Sequence, residues 1–490
     1  MSQTDLDAAI AVTRFGLGAR PGEIDAAGRD PRGWLKAQIR REGADLIQSD
    51  GETSNQRLAE FRAYRQERQM ARQAPPADPA PATMVDGKPA PAPDPAQAAR
   101  KFIRDNAAGD ALGRIRLAAD TDAAFRERWA LFWANHFTVS AIKIQTSTLV
   151  GPFENEAIRP HVFGRFADLL AAAETHPAML LYLDQAQSVG PNSRAADVQR
   201  RGGFRRGADT QDGQPRRPPI AARGLNENLA REILELHTVG VDGGYAQADV
   251  TEFARALTGL SIAAPRDGDV EGVVFRPQTH EPGSRMVMGV RYDQDGRAQA
   301  SAILADLAAK PQTARFVCAK IARHFVADDP PPALVARLEK AWLSTHGDLA
   351  RVAEALVDAP EAWEPRPAKL KTPYEFVISS YRALGQEPRG LGQVNGALTG
   401  LGQRTFAAPS PKGWPDEAGP WAASDAVVKR MQFAQQLGAV FGPRVQDPNT
   451  LAAQTLGARL SPAAAKAISR AESRPEAVAL LLMSPEFQRR

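Results

Sequence analysis

The sequence predicts a mainly α protein: one large helical domain over 1–490, with a small β-hairpin near 272–293 and two low-complexity insertions. Three observations carry this. Apolar residues mostly return at intervals of three and four, the period of a helix with one buried face. Glycine and proline stand between these runs, where helices begin and end. A composition 43% hydrophobic and 24% charged is that of a globular chain able to fill a sizeable core.

At the N-terminus, "MSQTDLDAAIAVTRFGLGARPGE" has acids where a secretory signal carries bases, and it lacks an apolar run. Nowhere do 18 apolar residues follow one another, so no membrane span is expected and the default address is the cytoplasm. Net charge is +4, with 61 basic against 57 acidic residues, which requires neither nucleic acid nor an anionic membrane as partner. The glycines of "GLGARPG" follow no strand, so a dinucleotide fingerprint is unsupported. The single cysteine, Cys318, excludes a disulfide framework within the chain and a cysteine-based zinc site, and reads as a small core side chain.

Residues 73–98 carry eight prolines and read as an exposed, polyproline-leaning insertion. Residues 190–224 hold eight arginines against three aspartates and read as a flexible, disordered loop. That loop could tether phosphate backbones, but Phe204 is its one aromatic for base stacking, so no specific nucleic acid is expected.

Two helices stand out between and after these insertions. In "FRERWALFWANHF", Phe125, Trp129, Phe132, Trp133 and His136 fall on one face. In "NENLAREILELHTVGVDGG", Leu229, Ala230, Ile233 and Leu236 share an apolar arc that also takes Asn226 and His237. Glu227, Arg231 and Glu235 form the opposite stripe. A histidine on an apolar face is an ordinary core residue if hydrogen-bonded, but two such histidines need partners: each other, a carboxylate or a metal. Glu232 and Glu235, three apart, are an acid–base pair if that face is covered and a solvated ladder with Arg231 if it is not. No His-Glu-x-x-His spacing occurs, so a divalent metal would have to be assembled from scattered His136, His237 and His280.

"GVVFRPQTHEPGSRMVMGVRYD" has two short strand-like runs around Glu281–Pro282–Gly283, read as an extended hairpin with His280 near its tip. His346 reads as a loop residue before a helix starting near Leu349, and the C-terminal 40 or so residues return to helix.

Taken together, "AVTRFGLGARPGE", "FWANHFTVS", "AMLLYLD", "GLNENLAREILELHTVGVDGGY", "DVTEFARALTG", the "HEPG…MG" segment, "KIARHFVADDPPPALV", "PYEFV" and "PSPKGWPDE" occur in an order that closely resembles the bacterial family catalogued as domain of unknown function 1800. The resemblance runs from about residue 7 to the C-terminus, outside the two insertions. Positions matching the family's motif residues are Trp133, His136, Phe137, Asn226, Asn228, Arg231, Glu232, Glu235, His237, Asp242 and His280. Departures are Gln185 where the family commonly has asparagine, Ala246 where it has a capping threonine, and Glu281 where it has aspartate. Similar proteins are often encoded beside a family of alkaline-phosphatase or sulfatase-like fold, and many are exported. The resemblance therefore implies a protein partner of that fold, and leaves an extracytoplasmic address by co-export open.

Three functional readings stand side by side. The first is an enzyme, in its most specific form a metal-assisted hydrolase. Its catalytic residues would be His136, His237, Glu232, Glu235 and Arg231, with Asn226, Asn228, Trp133 and Asp242 binding substrate and His136, His237 and His280 holding the metal. The second is a non-catalytic partner or maturation protein for the co-encoded phosphatase- or sulfatase-like protein. The third is nucleic-acid binding through the arginine-rich loop.

Overall fold

Helices account for 62% of the chain in the computed structural model, which describes residues 2–73, 84–85, 88–89, 95–206, 224–264, 267 and 271–490. Most of the proline-rich insertion and residues 207–223 of the arginine-rich segment lie outside the described residues. The part of that segment that is described corrects the loop expectation: Arg194–Arg206 is a helix. Alanine, glutamine and arginine over Arg194–Arg201 favour helix despite the charge.

Two apolar cores meet along the helix Ala124–His136. The larger gathers Phe15, Trp129, Trp133, Phe163, Phe166, Phe325 and Trp342. The smaller, built by Pro373–Ala383, Ser424–Phe441 and Arg474–Met483, gathers Phe376, Val377, Leu437, Val478 and also Ala124. The aromatic face of Ala124–His136 is buried as its spacing predicts, but so are Arg126, Glu127 and Arg128 on its other face. Each is matched there: Arg126 to Asp45, Glu127 to Arg159 at 2.8 and 2.9 Å, and Arg128 to Glu375 at 2.5 Å. Pairing is what makes burial of a charged face tolerable.

Buried arginines recur throughout as staples between remote segments. Arg14 donates to the carbonyls of Ala362 and Arg366, and Arg382 to those of Gly18, Ala118, Ala119 and Thr121.

The strand region differs from the single extended hairpin expected over 272–293. Val273–Phe275 pairs antiparallel with Leu260–Ile262, while Arg285–Val287 pairs with Val290–Tyr292. The second pair closes through Met288 and Gly289, with φ of 47° and 78°. Positive φ at both positions is the geometry that suits a two-residue hairpin turn, and a methionine at the first of them hides the turn from sequence reading. Asp249 ties this hairpin to the helix Gln247–Leu257: one carboxylate oxygen accepts from Met288 N and the other from Ala246 N. Since Ala246 has no side-chain acceptor, only that half of a capping box forms.

Among the described residues, three helices contain a π-helical turn, at Ala11–Phe15, Glu154–Ile158 and Ile233–His237. Such turns shift side chains off the α-helical stripe and are frequent at functional sites. Among the described residues, no helix is long and apolar enough to cross a membrane. Cys318 is buried, and burial pushes its thiol well up, as befits a packing residue.

Candidate functional site

His136 and His237, 101 residues apart, come together with ring centroids 5.9 Å apart. His136 Nε2 donates to the main-chain oxygen of His237 at 3.1 Å. His237 Nδ1 stands 2.7 Å from Glu174 Oε1, both side chains fully buried, but out of line for a hydrogen bond. His136 Nδ1, His237 Nε2, both Glu174 oxygens and Trp133 Nε1 are thus left without a hydrogen-bond partner. Burial, then Lys320 and His237, hold the His136 imidazole well below its usual range. Glu174, which ends the apolar helix Phe166–Glu174, is the partner that sequence reasoning missed. An acid closing the apolar run Leu169–Ala173 was the available signal.

The other expected residues divide around this pair. Glu232 is half-buried, and its carboxyl is raised by burial. Burial, then Glu232, pushes the Tyr182 hydroxyl up to about 12. Glu235 is reached by Tyr245 Oη at 3.4 Å. Arg231 keeps its ladder contact with Glu227 at 3.3 Å and adds Gln247, so the Glu–Arg half of the expected ladder is present. Asn226 is not in the helix, which begins at Asn228; it clamps the entry. Its amide donates to the carbonyls of Leu183 and Asp184 and its oxygen accepts from Asn228 N. Trp133 is buried against His136, whereas Asn228 and Asp242 are exposed.

His280 stands apart from the pair. Its Nδ1 bonds the Thr258 carbonyl at 2.8 Å and its ring packs on Phe275. Its neighbour Glu281 grips Asn192 through both carboxylate oxygens, at 2.7 and 2.6 Å. Among the described residues, no three histidine, cysteine or acidic side chains stand where they could hold one metal ion. The trio His136, His237 and His280 is therefore not assembled as a set.

A second histidine constellation lines a cavity between the two cores. Phe132 carries His136 on one side at 6.1 Å and His324 on another at 5.3 Å. His324, in the last turn of Pro311–Phe325, has its Nδ1 2.8 Å from Asp416 Oδ1. Its Nε2 is buried without a partner. Burial lowers His324 against the pull of Asp416, which keeps the ring neutral near pH 7. Burial alone would raise Asp416, but His324, then Lys369 and Lys320, hold it below the usual carboxylate range.

The loop carrying Asp416 is pinned by Asn135. The Asn135 amide donates to Trp414 O at 2.9 Å, and its oxygen accepts from Trp414 N at 2.8 Å. Gly413 turns there at φ +82°, and a Cβ on it would meet Asn135 O at 2.5 Å, so only glycine fits. Lys369 completes the brace, donating to the Asp416 carbonyl and to Asp328 at 2.6 Å. Across the cavity, Phe406 sits at φ +56°, a strained conformation for a bulky residue, with Arg114 over its ring at 5.1 Å.

Tyr374, Glu375, Arg128 and Arg404 complete the wall of this cavity, whose volume is about 70 Å³. At roughly 10–15 Å³ per water, that holds a few waters or one small headgroup, well short of the several hundred Å³ of a whole-ligand pocket. The Arg128–Glu375–Arg490 cluster is not a site by itself, because arginines are buried as staples all over this fold. Glu375 is driven far below its usual range against burial by Arg490, Arg128 and His324. What sets this place apart is His324, held at one nitrogen and free at the other. The quoted segments "FWANHF", "KIARHF", "PYEFV" and "PSPKGWPDE" all supply its lining. Sequence reading had these segments in hand but singled out none of His324, Asp416, Glu375 or Asn135.

Residues 10–489 match the family model described as "Protein of unknown function (DUF1800)". No curated protein and no solved structure matches the chain.

Proposed function

Since the chain belongs to the DUF1800 family, whose description assigns no activity, we propose from the site itself that it is an enzyme in which His324 acts as the general base. One observation carries the reading: the imidazole is fixed by Asp416 at Nδ1 and leaves Nε2 buried and unpartnered on a cavity wall. With Nδ1–H donating to the carboxylate, the Nε2 lone pair is the proton acceptor, the orientation used by His–Asp pairs in acyl transfer. A water or substrate hydroxyl seated in the cavity would lose its proton to Nε2 and attack a bound ester-type group, and His324 would return the proton to the leaving group. Asp416 stabilises the imidazolium formed in between. Asn135 and Lys369 act as positioning residues, through the loop that carries Asp416.

His136, His237 and Glu174 form the adjoining buried cluster. The catalytic roles expected of His136, His237, Glu232, Glu235 and Arg231 belong to an alternative placement of the same acid–base chemistry. It is supported by the unpartnered atoms around Glu174.

The test is turnover of a panel of small carboxylate, phosphate and sulfate esters by the whole protein. Activity rising with pH through a His-like midpoint, lost in His324→Gln with circular dichroism unchanged, is expected. Activity that survives His324→Gln but vanishes in His237→Gln moves the chemistry to the second cluster. A non-catalytic partner protein is the rival reading, favoured by exposed Val427, Val428 and Met431 on Ser424–Phe441. A panel without turnover, together with a stable complex recovered from native cells, would establish it.

A further inference from the structure

The cavity beside His324 has a surplus of hydrogen-bond donors. Its carboxylate and amide acceptors are engaged, leaving His324 Nε2 as the open one: Glu375 takes Arg128, Arg490 and Thr372 N, Asp416 takes His324, and Gln403 Oε1 takes Tyr374 N. Its donors are not. Tyr374 Oη, Thr405 Oγ1 and Arg128 Nε are all buried on lining residues without a partner. Arg404, also on the lining, is exposed, and its guanidinium makes no hydrogen bond or ion pair among the described residues. Buried donors without acceptors are costly, so the two hydroxyls together mark a place shaped for a group rich in acceptor oxygens. Burial also pushes the Tyr374 hydroxyl up, keeping it protonated and a donor at any physiological pH.

We infer that this cavity binds one small oxyanion group, a carboxylate, phosphate or sulfate, with Arg404 at its rim and Tyr374 and Thr405 donating from its wall. The volume of about 70 Å³ admits such a group. Charge-assisted hydrogen bonds to an oxyanion are about twice as strong as neutral ones, and the low local dielectric strengthens them further. The group would be either a free inorganic ion or the headgroup of a substrate whose reacting bond lies next to His324 Nε2. The inference rests on the reading of this cavity as an active site and adds the chemistry of what enters it.

Calorimetric titration of the full-length protein separates these cases, using inorganic phosphate, sulfate, acetate and phenyl phosphate, with chloride at matched ionic strength as control. Saturable binding of an oxyanion at one site is expected, weakened about tenfold in Arg404→Gln and about fivefold in Tyr374→Phe or Thr405→Val. Tighter binding of phenyl phosphate than of inorganic phosphate identifies a substrate headgroup; equal affinity identifies a free-ion site. Absence of oxyanion binding above the chloride control overturns the inference, as does binding undiminished in all three variants. Failure here is distinguishable from failure of the general-base reading. His324-dependent turnover of a neutral ester without oxyanion binding removes this inference alone, while oxyanion binding retained with no His324-dependent turnover removes only the base.

Discussion

His136 donates to the main-chain oxygen of His237, 3.1 Å away, while His237 leans on the buried carboxylate of Glu174 at 2.7 Å. One histidine is thus held by the backbone of the other, and the second depends on an acid with no other neighbour bonded to it. Truncating Glu174 to Ala would empty its place in a packed interior and take away the polar neighbour of His237, and large-to-small changes at buried positions typically cost about 2–5 kcal/mol. Glu174→Ala is expected to lose stability in that range. Glu174→Gln, which keeps the volume and an acceptor oxygen beside His237, should lose distinctly less. Urea unfolding followed by circular dichroism reads the difference, and equal losses would show that the carboxylate itself, not the volume it fills, matters at this position.

The lowered imidazoles of His136 and His324 make stability depend on pH with a definite sign. Burial is the first cause for both, so the folded state resists protonation while the unfolded state takes up protons near 6.5. Below that value the unfolded chain binds more protons than the native one, and stability falls as pH falls. The loss is about 1.4 kcal/mol per pH unit for each such histidine until its folded pKa is reached. Denaturation midpoints between pH 7 and 5 should drop in the native protein and drop less steeply in His136→Gln.

How much of this was visible in the sequence follows from which contacts are local. The face of Phe125, Trp129, Trp133 and His136 obeys helical spacing, so its inward direction could be read directly. Asn226 lies outside the helix, which starts two residues later, and a π-helical turn at Ile233–His237 breaks the 100° count toward His237. His324 and Asp416 are separated by 92 positions. The one ends an amphipathic helix as an ordinary basic cap and the other sits in a proline-rich turn, so nothing local couples them. Their motifs were legible as segments, but their convergence is tertiary. The strand partners of 272–293 escaped for a similar reason, since pairing of Val273–Phe275 with Leu260–Ile262 depends on what lies between them.

The double hydrogen bond between Asn135 and Trp414 is expected to set the position of Asp416 more than it sets overall stability. Asn135→Ala leaves Trp414 N and O without partners, costing about 1–3 kcal/mol. Its diagnostic effect should be on the His324 ring: nitrogen-15 shifts should move from the pattern of a pure Nδ1–H tautomer toward a mixture. Unmoved shifts with lowered stability would make Asn135 a structural clamp only.

Asp416→Asn tests the central pair most directly. The amide is isosteric and keeps a contact with His324, but its NH₂ donates where the carboxylate accepted. The imidazole would then present its Nδ1 lone pair to the amide and carry its proton on Nε2, facing the cavity. A base whose proton is already in place cannot take another, and the comparable change in serine hydrolases lowers turnover about 10⁴-fold with geometry intact. Folding should be affected far less, because Lys369 holds this loop through the Asp416 carbonyl rather than the side chain. The expected pattern is therefore a large fall in turnover, a modest stability change, and an Nε2–H signal in the nitrogen-15 spectrum. If turnover falls while the tautomer stays Nδ1–H, Asp416 acts through its charge alone. If neither moves, the His324–Asp416 pair is not the base of this protein.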